Sequence, residues 1–184
     1  YNKKNTALKR IKVLINSGAD IIDIGGESTR PGSKIISEID EWKRIEKIIK
    51  IFKKIYPKVK LSIDTRKSEV MSKSIKFKAD IINDVSCFAF DKKSKAVIKN
   101  KNIWKVIHHM QGTPQTMQKN PRYNHALLDI YDFFESKIES LKQMKYPNKI
   151  ILDPGIGFGK NLKHNLMLLN KISLFHSLGF PILI

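Results

Sequence analysis

The chain has 184 residues, 41% of them apolar, enough for one domain with a real core. No apolar run approaches the ~20 residues of a membrane-spanning helix, no secretory leader is visible ahead of the first helical pattern, and the lone Cys87 excludes an internal disulfide and fits a reducing, cytoplasmic setting. The net charge of +18, from 35 basic and 17 acidic residues, is spread through helical patterns without interleaved aromatics, so it reads as a solvated coat that draws in anions, not as a nucleic-acid surface.

The predicted elements alternate. Leu8, Ile11, Leu14 and Ile15 give Thr6 to Ser17 a helical stripe, with Gly18 as its stop. Asp20 to Ile24 is a short buried strand, followed by the polar loop Gly25-Gly26-Glu27-Ser28-Thr29-Arg30-Pro31-Gly32-Ser33. That loop can bring a carboxylate, two hydroxyls and a guanidinium to one place, a set suited to an anionic small molecule. Ser37 reads as an N-cap ahead of Glu38, Asp40 and Glu41, and Trp42, Ile45, Ile48, Ile49, Phe52 and Ile55 continue one apolar face to Pro57.

Lys60 to Asp64 is the next strand, then a helix from Ser68 to about Phe77, a strand Asp80 to Asn83, a helix Lys92 to Lys99 and a strand Ile103 to His108. A long loop, Gln111 to Tyr123, leads to a helix over His125 to Met144. Lys149 to Leu152 is a strand, Asn165 to Leu178 a helix, and Phe180 to Ile184 a sixth strand. Strands joined by helices run parallel with right-handed crossovers. Asp23, Asp64, Asn83 with Asp84, His109 and Asp153 all sit where a strand gives way to its loop. A barrel gathers such ends around one mouth, whereas an open sheet strings them along an edge. The fold class is therefore α/β, a (β/α)8 TIM barrel in a single domain over 1–184. About six strand units are present; one unit is expected ahead of them and one to two after.

A carboxylate just past a strand can accept paired hydrogen bonds from an amidine-like edge, and Asn83 can both donate and accept. For any single Asp the plainer role is to cap the following helix. Five in register point to a small-molecule site. Neighbouring His108 and His109 face opposite ways on a strand, which argues against a zinc pair. Cys87 reads as a small buried residue rather than a nucleophile.

Five segments, IIDIGGESTRPG at 21–32, SIDTRKSEV at 62–70, IINDVS at 81–86, HMQGTPQTMQ at 109–118 and LDPGIGFGKN at 152–161, resemble those of the dihydropteroate synthase family, in its order and spacing and over essentially the whole chain. The resemblance implies an enzyme of folate synthesis that joins a dihydropterin methyl diphosphate to 4-aminobenzoate, releasing diphosphate. It implies that Asp64, Asn83 and Asp153 hold the pterin, with Asp64 and Asp153 as the catalytic carboxylates. Ser28, Thr29, Arg30 and Pro31 would close over the second substrate and the diphosphate, Phe158 would wall the aminobenzoate, and His108 would stand where the family usually has Met. It further implies Mg2+ on the diphosphate and a homodimer, with neither nucleic acid nor membrane as partner. The family's metal-binding Asn lies in an NVTPDSFSDGG-type first loop that this sequence does not contain, so no metal ligand is expected here. The later Ser-Arg-Lys and Arg-x-His segments are also not contained, so this chain alone is expected to lack full activity. The alternative is a related pterin-binding enzyme that transfers a methyl group from methyltetrahydrofolate; the ESTRPG and GFGKN segments fit the synthase better.

Overall fold

Five parallel strands lie side by side in the order in which they occur along the chain. The computed structural model describes residues 4–30 and 32–184. The elements are α1 (Lys4–Asn16), β1 (Ile21–Gly25), α2 (Glu38–Ile55), β2 (Lys60–Asp64), α3 (Ser68–Lys76), β3 (Ile81–Asp84), α4 (Ser94–Lys99), β4 (Trp104–His108), α5 (Ala126–Leu141), β5 (Ile150–Asp153) and α6 (Leu162–Asn170), with a 3-10 helix over Ile172–Leu178. A doubly wound sheet must reverse its strand order at a switch point to cover both faces. Here the order never reverses, so every crossover puts its helix on the same side. The five strands are a stretch of (β/α)8 barrel wall, as the sequence predicts.

Alternation along each strand sorts side chains between helix layer and barrel interior. Ile22, Leu61, Ile63, Ile82, Ile107 and Leu152 face the helices and are buried. They pack against Ile45, Ile49 and Phe52 of α2, Val70 and Met71 of α3, and Ile130 and Phe134 of α5 in one continuous core. Phe134 meets Phe175 edge to face, ring centres 5.4 Å apart.

Caps set the helix starts. Ser37 Oγ accepts from Asp40 N at 3.0 Å and donates to Asp40 Oδ2 at 2.7 Å, and the acidic first turn of α2 suits the helix dipole. Asn161 and His164 form a reciprocal capping box that starts α6 at Leu162. The single helix predicted over Asn165 to Leu178 is thus two pieces: α6 starts earlier and gives way to the 3-10 turn around Asn170, Ile172 and Ser173, weaker helix formers than the leucines before them.

The sixth strand predicted at Phe180 to Ile184 does not form a ladder. It pairs with β5 only as a single bridge, Leu152 to Ile182. Leu152 N donates to Pro181 O and Leu183 N to Leu152 O, both at 2.8 Å, and Pro181 has no N–H to lengthen the ladder.

Candidate active site at the carboxyl ends of the strands

The interior faces of the strands carry polar groups at their ends. Gly25, Asp64 and Asn83 stand side by side in the pairing register, and His108 is paired with Asp153 one step higher on the staggered wall. Gly25 leaves room for its neighbour: a Cβ there would sit 3.2 Å from both Cβ and Oδ2 of Asp64. Asn83 Nδ2 donates to Asp23 Oδ2 at 3.3 Å across the intervening β2. His108 Nδ1 lies 3.0 Å from Asp153 Oδ2, and Gly155 N donates to Asp153 Oδ1 at 2.7 Å. Phe158 stands edge-on to the His108 ring, centres 4.7 Å apart.

The electrostatics of this mouth are short of positive charge. Burial, and then the carboxylates of Asp23, Glu41, Asp84 and Glu27, push the Asp64 pKa up to about 8. A carboxyl group in such a field gains from a cation or a row of N–H donors placed against it.

Asp84, taken with Asn83 in the sequence as a strand-end group, is turned away from the mouth by strand alternation. It is fully buried and caps its own loop, accepting from Ser86 N at 2.7 Å, Ser86 Oγ at 2.6 Å and Phe88 N at 3.0 Å. His109 is likewise packed away from the mouth, edge-on to Phe133 at 4.9 Å, so it is not the strand-end group that the sequence suggests; His108 is.

The loop after β1 does not offer its carboxylate to a ligand. Glu27 is buried, accepting from Arg66 Nε at 2.8 Å, Lys67 Nζ at 2.9 Å and Ile36 N at 3.0 Å. Burial raises its pKa, and the bonds from Arg66, Ile36 and Lys67 outweigh that and hold it below the ordinary range. Lys67 also reaches the buried Glu41 at 2.5 Å. Two cations thus serve two carboxylates, tying the start of the polar loop to the Asp64-Thr65-Arg66-Lys67 turn. Past this anchor, Ser33 Oγ donates to Ser28 O at 2.6 Å and Gln115 Nε2 to Ser33 O at 3.2 Å. Ser28 and Arg30 are exposed and Thr29 is half-buried; Arg30 has no carboxylate partner among the described residues. Pro31 lies outside the described residues.

The sequence-predicted Asp64, Asn83, His108, Asp153 and Phe158 are therefore brought to one mouth, while Ser28, Thr29 and Arg30 lie on the loop beside it. Asp23 joins the mouth through Asn83 and belongs with them; its place at a strand end was the available signal. The ion pairs of Glu27 and the burial of Lys67, Lys105 and Lys160 carried no local signal, and they correct the picture of uniformly solvated lysines. Lys105 donates to Tyr146 O at 3.0 Å, and burial draws its pKa down to about 8. Cys87 is buried and its thiol is pushed up to about 12 by that burial, against nucleophilic use. Among the described residues, no group of three or more His, Cys, Asp and Glu side chains could hold a metal ion, and no helix is long and apolar enough to cross a membrane.

A parallel barrel wall with carboxylates, an amide and an imidazole at one mouth is the arrangement of an α/β barrel whose strand ends are equipped for a polar small molecule. The family model described as pterin binding enzyme matches residues 1–184, and the chain belongs to that family. It is 37% identical over 185 residues to the dihydropteroate synthase of Escherichia coli K12, covering all of this chain and 65% of that protein. Its structure resembles the Yersinia pestis dihydropteroate synthase, solved as a sulfonamide drug complex, with a TM-score of 0.91 and 36% identity over 98% of this chain and 66% of the other. The Anaplasma phagocytophilum dihydropteroate synthase, solved with bound 6-hydroxymethylpterin-monophosphate, gives 0.89 and 31% over 97% of this chain and 72% of the other. The chain spans just under two thirds of the length of the curated E. coli relative.

Proposed function

We propose that the protein is a dihydropteroate synthase, which condenses (7,8-dihydropterin-6-yl)methyl diphosphate with 4-aminobenzoate to give 7,8-dihydropteroate and diphosphate. The observation that carries this reading is the electron-rich mouth formed by Asp23, Asp64, Asn83 and Asp153. Its relatives carry the same name, and one was solved with a pterin phosphate.

In this reading Asp64, Asn83 and Asp153 receive the aminopyrimidinone edge of the pterin, and His108 lines the same pocket. The C–O bond between the pterin methylene and the diphosphate breaks first, its electron pair leaving on oxygen. The positive charge that develops on the pterin methylene is what the Asp64 carboxyl lacks in the free site, so the interaction is strongest at the transition state. The 4-aminobenzoate nitrogen then forms the C–N bond with its lone pair and gives up a proton. Phe158 walls this second substrate, and Ser28, Thr29, Arg30 and Pro31 close over it and the diphosphate. Mg2+ would neutralise the leaving diphosphate, and the described residues offer it no cage of their own. A cytoplasmic homodimer completes the reading, the unpaired Cys87 suiting a reducing compartment.

Calorimetric titration with the dihydropterin diphosphate, followed by an assay for dihydropteroate from labelled 4-aminobenzoate, tests this. Binding is expected to vanish in Asp64→Ala and Asp153→Ala. Unchanged affinity in both removes the site, and methyl transfer from methyltetrahydrofolate in place of dihydropteroate formation makes the protein the alternative transferase.

A further inference from the structure

Lys160 is a buried lysine whose hydrogen bonds are complete. It is 3% exposed. Its ammonium faces three acceptors: Phe158 O at 2.8 Å, His109 Nδ1 at 3.1 Å and His109 O at 3.2 Å. An ammonium has three donors and no acceptor. All three donors are therefore used, and His109 Nδ1 must be the unprotonated nitrogen, leaving the ring proton on Nε2.

The bonds join two loops. His109 is the first residue after β4, and Phe158 and Lys160 lie on the loop after β5. Tyr123 OH donates to Gly159 O at 2.7 Å and Gln118 Nε2 to Gly157 O at 2.5 Å. Gly159 comes so close to the β4 loop that a Cβ would sit 2.8 Å from Gln111 O. The two loops are laced into one wall, and Lys160 is its buried centre. Burial, the Lys160 charge and then His108 push the His109 pKa down to about 3, which keeps the ring neutral. Burial lowers Lys160 to about 7, with Asp153 working in the opposite direction.

We infer that Lys160 is a positioning residue for the second substrate: it clasps the β5 loop to the β4 loop so that Phe158 stands against His108, next to Asp153. It is shielded from the mouth and acts through Phe158. This rests on the reading of Phe158 as the wall of the 4-aminobenzoate site.

The test compares Lys160→Met, His109→Leu and His109→Gln in the full-length protein. Lys160→Met and His109→Leu each remove the side-chain bond. Both are expected to raise KM for 4-aminobenzoate about tenfold, with the dihydropterin diphosphate affinity changed by less than about twofold. His109→Gln keeps an acceptor for the ammonium and is expected to restore KM. Nitrogen NMR supplies an independent readout. In the unaltered protein His109 Nδ1 stays an unprotonated acceptor between about pH 4 and 6, where Lys160 keeps its proton, and in Lys160→Met the titration of the ring moves to higher pH. An unchanged KM in Lys160→Met, an equal loss of both substrate affinities, or a His109 signal indifferent to Lys160 overturns the proposal. If Lys160→Met does not fold, the contrast between His109→Leu and His109→Gln decides the matter. If the unaltered protein makes no dihydropteroate, the functional reading fails, while the NMR result still reports whether the clasp exists.

Discussion

His108 Nδ1 and Asp153 Oδ2 lie 3.0 Å apart at the end of paired strands, the histidine 3% exposed. The carboxylate is thereby held from two sides, by the imidazole and by Gly155 N. Replacing His108 with Met keeps the bulk but leaves Asp153 one partner short. The loss of a hydrogen bond to a part-buried charged group is expected to lower unfolding free energy by about 1–3 kcal/mol, read from urea titrations of the two proteins.

Asp64 makes stability depend on pH. Its folded pKa of about 8 lies above the ordinary value of 3.8, so the folded state holds a proton that the unfolded state has released. The stability this contributes is complete at acid pH and is lost as pH rises towards about 8. Asp64→Asn removes the titration. Its stability relative to the unaltered protein is expected to increase steadily from about pH 4 to pH 8 in denaturant melts, and the same variant is expected to lose pterin affinity.

Lys67 is shared by Glu27 and Glu41, at 2.9 and 2.5 Å. Lys67→Met strands two buried carboxylates with only Arg66 to answer them. Removing one partner of a buried charge network costs about 3–5 kcal/mol. The double variant Lys67→Met with Glu41→Gln is expected to regain a large part of that, and thermal unfolding of the two single variants and the double variant closes the cycle.

Gly155 and Gly157 separate strain from collision. Both have positive φ, 67° and 83°. A Cβ on Gly155 would lie 2.0 Å from His109 O, whereas one on Gly157 meets nothing within 4 Å. Gly157→Ala is expected to cost about 1 kcal/mol, the backbone penalty alone. Gly155→Ala is expected to cost clearly more and to weaken pterin binding through Asp153. Chemical denaturation and calorimetry of both variants give the comparison.

The barrel wall was legible because a parallel strand buried on both faces reads as a short apolar run, and Asp64, Asn83 and Asp153 interrupt those runs at their ends. Phe158, inside a matched segment, and His108, just ahead of one, were reached through the resemblance to the family. What stayed hidden are pairings over long separations. Glu27 meets Arg66 39 residues away, and Lys160 meets His109 51 residues away. A lysine on a coat and a lysine at the centre of a clasp have the same local pattern. Pro181 was visible, yet only the isolated bridge between Leu152 and Ile182 shows how far its missing N–H limits the pairing of the last segment.

The unreversed strand order also bears on how the chain acquires its shape. Each of the strands β1 to β4 finds a partner in the very next strand–helix unit, so within this stretch of wall pairing does not wait for a distant segment. The entropy of closing each loop is that of one crossover, which favours growth by addition of neighbouring units. A chain leaving the ribosome can lay down β1, then β2 upon it, and so on to β5. The mouth then forms in stages, with Asp64 and Asn83 brought together two crossovers before Asp153 arrives beside His108.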